Sequence, residues 1–148
     1  MARPSPSLLT FRGRLIAGLV ATAAATPLVV AASLAPSSTG IGTHQALGLP
    51  ACGWQTTMQL PCPTCGMTTA FAHAANADFA QAAQAQPAGL LLSFLAALAV
   101  VGGVYAAVTG AAMQRPLAVL MQPKMIWIGL GVLVLGWLYK IASSGAGS

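Results

Sequence analysis

Three cysteines fall within one short stretch of the chain: Cys52, Cys62 and Cys65. The last two stand in the run Pro61-Cys62-Pro63-Thr64-Cys65-Gly66, a spacing that lets both sulfurs reach one point. Three chemistries use such a set. The pair Cys62/Cys65 can cycle between dithiol and disulfide. A helix opening at about Cys65 would turn its N-terminal amides and dipole on a nearby thiolate, lower its pKa and make it a nucleophile, and Pro63 would stiffen the turn. Alternatively the thiolates can grip a soft metal ion, zinc or copper(I), with Cys52 as third ligand and His44 or His73 as a fourth. Thirdly, in an oxidising compartment a disulfide from Cys52 to Cys62 or Cys65 can simply staple a loop that holds Trp54 against a bilayer, leaving one thiol over.

Other features narrow the field. A full structural zinc site normally shows a second Cys-x-x-Cys or a paired His spacing, and neither is present. Haem attachment needs His after the second cysteine, where Gly66 stands. There is no Ser/His/Asp set, no paired carboxylates, no phosphate-cradling glycine loop and no thioredoxin-like βαβ pattern. Two functional classes remain. One is a non-enzymatic membrane component whose cysteines are structural or metal-binding. The other is a thiol-active protein that exchanges disulfides with a membrane-protein partner through Cys62 and Cys65. His73 and His44 read as surface residues, Asp78 as a turn or cap, and Met58, Met67 and Met113 as packing.

The elements that must position these cysteines follow from composition. Of 148 residues, 57% are hydrophobic and only 5% charged, against ~25% in a soluble domain. So few charges cannot cover a water-facing surface, and the mean hydropathy of +0.79 agrees. The fold class expected is all-α, with three transmembrane helices, an extracytoplasmic cysteine loop and a short interfacial helix. A basic tail over 1–14 ends at a first apolar run, 15–34, long enough to span a bilayer. Within it Pro27 is a kink site, and the Thr22 and Thr26 hydroxyls can bond backbone carbonyls. A cleaved signal peptide is the competing reading of that run. Residues 35–66 form the loop with the cysteines. Residues 67–86 have a weak apolar face and read as an interfacial helix, with Asn76-Ala77-Asp78 as a point where it can break. Pro87 opens a second span over 87–113. A loop follows over 114–124 with Arg115 and Lys124, then a third span over 125–142 and a tail over 143–148. Trp127, Trp137 and Tyr139 would mark the interfaces, Gly129, Gly131 and Gly136 would let helices approach, and Lys140 would snorkel to the surface.

The basic residues sit singly near the ends of apolar runs, which argues for a lipid bilayer and against nucleic acid as the partner of the net +5 charge. Arg3, Arg12 and Arg14 precede the first span, Arg115 and Lys124 lie between the second and third, and 35–89 holds no Lys or Arg. The positive-inside rule puts those charges in the cytoplasm and the cysteine loop outside. Lys140 alone falls on the other side.

The segment Leu60-Pro61-Cys62-Pro63-Thr64-Cys65-Gly66-Met67-Thr68-Thr69-Ala70-Phe71, followed by Asp78-Phe79-Ala80-Gln81-Ala82 and by Pro87 at a span, resembles the bacterial membrane family known as domain of unknown function 2752. Cys52 matches an upstream cysteine usual in that family. The resemblance implies a multi-spanning membrane protein with a cysteine-bearing loop. Thr69 stands where the family commonly has Arg, and Gln86 where Asn is common before the proline.

Overall fold

A computed structural model describes residues 8–37, 39–58, 60–111 and 122–145. Arg3 and half of the N-terminal tail, Arg115 with most of the loop around it, Met113 and the last three residues lie outside the described residues. The described residues are mostly helical: α1 (Phe11–Ala32), α2 (Gly53–Met58), α3 (Met67–Ala75), α4 (Phe79–Ala85), α5 (Pro87–Thr109) and α6 (Pro123–Gly145), with a 3-10 turn at Thr43–Leu47. Three of these helices are long and apolar enough to cross a membrane: Phe11–Ala32, Pro87–Thr109 and Pro123–Ala142. Most of their surface faces outward, including Leu19, Leu98, Val101 and Leu135, as expected of helices whose solvent is lipid.

α1 starts earlier than its apolar run because Thr10 caps it. The Thr10 hydroxyl accepts from the Gly13 amide at 3.3 Å, satisfying one of the orphan donors of a helix start. Arg12 and Arg14 therefore lie inside the helix. Arg14 donates to the carbonyls of Ala107 and Val108, both at 2.7 Å, and so satisfies carbonyls at the C-terminal end of α5. That end closes at Gly110, which adopts φ 72 and bonds back to Ala106. α1 and α5 thus run antiparallel in close contact. A Cβ at Gly103 would lie 2.8 Å from the Ala17 carbonyl oxygen and 2.9 Å from the Ala21 side chain, a small-residue approach of the kind membrane helices use. Inside α1 the hydroxyls of Thr22 and Thr26 donate to Gly18 and Thr22 carbonyls at 3.0 and 2.9 Å, as anticipated.

At the opposite end of α1 and α5 sit the short elements. Residues 67–86 form two helices rather than one. Ala77 takes φ 60 at the break, and Asp78 caps α4 by accepting from the Gln81 amide at 3.4 Å. α3 is more than a surface element: Thr69, Ala70, Phe71 and Ala72 are all buried, and Ala70, Ala82 and Ala85 form the core here, packed with Ala74 and Leu90. Gly89 admits α3 against α5, since a Cβ there would meet Ala70 at 2.9 Å.

α6 corrects two expectations. Of Gly129, Gly131 and Gly136, only Gly136 stands at a close approach, where a Cβ would meet the Ala88 side chain at 3.2 Å; Gly129 and Gly131 face open space. Lys140 does not snorkel. It is 6% exposed, and its ammonium donates to the Gly40 carbonyl at 3.3 Å. A carbonyl from the loop solvates the charge, so the side chain has no need to reach the surface. The helix also runs to Gly145, through part of the expected tail.

Candidate metal centre

The Cys-Pro-Thr-Cys segment is a tight turn. The Cys65 amide donates to the Cys62 carbonyl at 3.0 Å, with Pro63 in the second position, where its fixed φ suits such turns. The turn brings Cys62 Sγ to 3.1 Å from Cys65 Sγ. Cys52 arrives from the other side, at the start of α2, where its carbonyl accepts from Gln55 and Thr56 amides at 3.0 and 3.1 Å. All three sulfurs lie within 4.8 Å of one another, and all three are free thiols, Cys65 buried and the others half-buried.

α3 begins at Met67, two residues beyond the second cysteine, because Gly66 adopts the left-handed conformation at its N-cap (φ 87). The electrostatics of the pair accordingly come from neighbours in the turn. Burial would push the Cys62 thiol up, but hydrogen bonds from the Thr64 hydroxyl at 3.3 Å, from the Cys65 and Cys52 thiols and from the Thr64 backbone outweigh it and bring Cys62 down to about 7. Burial drives Cys65 the other way, and its role as donor to Cys62 adds to that, so it is pushed up to about 12. Of the pair, Cys62 is therefore the more readily ionised and Cys65 the one that keeps its proton.

Two side chains from elsewhere hold this turn by the carbonyls that flank Cys62. The Trp137 indole of α6 donates to the Pro61 carbonyl at 2.9 Å. The Gln86 amide, fully buried between α4 and α5, donates to the Pro63 carbonyl at 3.2 Å. Neither was singled out for this by sequence reasoning. In the sequence Gln86 stands out only as a departure from Asn, and Trp137 as an interface marker. Trp54 packs edge-on against Trp137, ring centroids 6.4 Å apart, so α2 is tied to the same post.

The remaining candidates separate from the centre. His44 is engaged with the Pro50 carbonyl at 3.2 Å, and His73 pairs with Asp78 at 3.3 Å. Neither histidine joins the three sulfurs as a fourth ligand among the described residues. Thr69 is buried, its hydroxyl 2.8 Å from that of Thr43. Arg in place of Thr69 would lose this bond and bring a guanidinium into a filled space. The nearby cation is Lys140, close enough for its charge to interact with Cys65.

Residues 52–100 match the family described as "Protein of unknown function (DUF2752)", which bears out the resemblance carried by the cysteine motif. No curated protein and no solved structure matches the chain.

Proposed function

We propose that Cys52, Cys62 and Cys65 form a three-thiolate site for a soft metal ion, zinc or copper(I), in a non-enzymatic membrane component. The observation that supports this best is the convergence of all three sulfurs. A staple needs two and leaves the third wherever the chain puts it, whereas here the third comes from a separate helix start and still lies within 4.8 Å of both. Thiolates select soft ions. Three of them complete a trigonal site for copper(I), and for zinc they leave the fourth tetrahedral position to water or to a partner. Cys62, the more readily ionised of the pair, would bind first, and binding would displace the Cys65 proton to solvent, since ligands must be deprotonated.

The test is metal analysis with thiol counting on protein purified anaerobically in detergent. About one ion per chain is expected, with three sulfurs that resist maleimide until a chelator is added. Sulfurs that all label freely in untreated protein would exclude the site. A second reading is favoured by the 3.1 Å approach of Cys62 to Cys65. In it, the Cys62 thiolate attacks a partner's disulfide and displaces one thiolate. The Cys65 thiol then loses its proton and attacks Cys62, releasing the partner as a dithiol and leaving Cys62–Cys65 oxidised. This reading requires a trappable mixed disulfide in Cys65→Ser, and the metal reading requires none.

The orientation belongs to the same proposal. The end of the bundle with Arg12, Arg14 and Lys124 lies in the cytoplasm of a bacterial inner membrane and the cysteines outside, in keeping with the positive-inside rule. A reporter active only outside the cytoplasm should work when fused after Gln59 and stay silent after Gln114. The opposite pattern would reverse the orientation.

A further inference from the structure

A cavity of about 590 Å³ opens at the cysteine end of the bundle, between the loop that follows α1, the α3–α4 corner and the end of α6. That is within the roughly 300–1,000 Å³ of ligand sites. Its walls gather an unusual share of this chain's charge. The sequence has one acidic residue, two histidines and six basic residues, and the cavity takes Asp78, His73 and Lys140. None of the three faces the metal site described above as a ligand, and charged groups are costly to place near a membrane without a use.

We infer that this cavity binds a phosphate group. The geometry assigns the charges unequal parts. One Asp78 oxygen accepts from the Gln81 amide at 3.4 Å and the other pairs with His73 at 3.3 Å, so the single carboxylate on the wall is engaged with α3 and α4. Lys140, held against the Gly40 carbonyl at 3.3 Å, supplies the positive wall. Gln81 and Gln84, one turn apart on exposed positions of α4, add two side-chain amides whose N–H groups can turn to an oxyanion. A cation with amide donors is the donor set a phosphate takes. The cavity lies where the apolar spans end, which is the level of lipid headgroups. The phosphate can thus belong to a phospholipid or be free in solution.

Delipidated protein in a non-ionic detergent is titrated with phosphatidylglycerol, with diacylglycerol of the same chains, and with inorganic phosphate, and bound species are counted by native mass spectrometry. Retention of phosphatidylglycerol over diacylglycerol, weakened at least about tenfold by Lys140→Met and kept by Lys140→Arg, is the expected result. Binding of inorganic phosphate as well identifies recognition of the group itself; phosphatidylglycerol alone identifies a headgroup site. Equal retention of diacylglycerol, or no loss in Lys140→Met, overturns the inference. Should Lys140→Met not fold, the double variant Gln81→Leu/Gln84→Leu on the exposed rim decides instead, and unchanged retention there overturns it too. Cys62→Ser should leave phosphate binding intact, so failure of the metal reading does not touch this one.

Discussion

Cys52→Ser should cost the protein its metal as completely as Cys62→Ser. Serine is neutral and hard where a thiolate is charged and soft, so each exchange removes a ligand outright. Outer-shell changes alone typically lower metal affinity about 10–100-fold, and loss of one of three ligands should exceed that. The contrast is with the histidines. His44 and His73 are engaged with Pro50 and Asp78, so His44→Ala and His73→Ala should retain full metal content. Cobalt(II) gives a direct view, because each sulfur lost diminishes the thiolate-to-metal absorption. Full metal in Cys52→Ser beside none in Cys62→Ser would reduce the centre to a two-sulfur site with Cys52 a bystander.

Gly66→Ala should be the most damaging change of a single methyl group. Gly66 adopts φ +87, and a Cβ there would lie 2.7 Å from the Ala85 carbonyl oxygen and 2.9 Å from that of Gly40. Both obstacles are backbone, and neither can swing aside. The left-handed conformation costs an alanine about 1–2 kcal/mol, and forcing extra volume into a packed site costs about 1–3 kcal/mol more. Gly48 provides the control: it has φ +77 but nothing within 4 Å, so Gly48→Ala should carry the conformational cost alone. Thermal unfolding in detergent followed by helical circular dichroism should rank the two. Chelator competition should show weakened metal binding in Gly66→Ala only, because Cys65 is its neighbour. Equal behaviour of the two variants would mean that α3 and α4 yield at Gly66 without moving the sulfur.

Apolar run length and the lack of charges made the three long helices legible in the sequence, and spacing made the cysteine constellation legible. Asn76-Ala77-Asp78 marked the break between α3 and α4 for a local reason, since turn-forming residues act on their own backbone. What escaped was everything that depends on reach across the chain. Trp137 and Gln86 hold the carbonyls on either side of Cys62, yet nothing near either residue signals a target so far off in sequence. Lys140 stands near a helix end, where a long cation usually finds water; the Gly40 carbonyl that takes it is 100 residues away. The glycines show the same limit. Gly129 and Gly131 look like a packing motif and face open space, while Gly103, at a close approach between α1 and α5, stands in the small-residue series Ala99, Gly103 and Ala107, which is hard to single out in so Ala-rich a run.

The bond from Trp137 to Pro61 spans 76 residues, and it joins the cysteine turn to a helix that a ribosome delivers well after it. At about 5–20 residues per second, the turn waits roughly 4–15 s after its own synthesis before that indole exists. During the interval Gln86, already made, is its remaining side-chain brace. The arrival of α6 then both fixes Pro61 and sets Trp137 beside Trp54. Order of manufacture thus separates the making of the turn from its bracing by α6, without any moving part in the finished molecule.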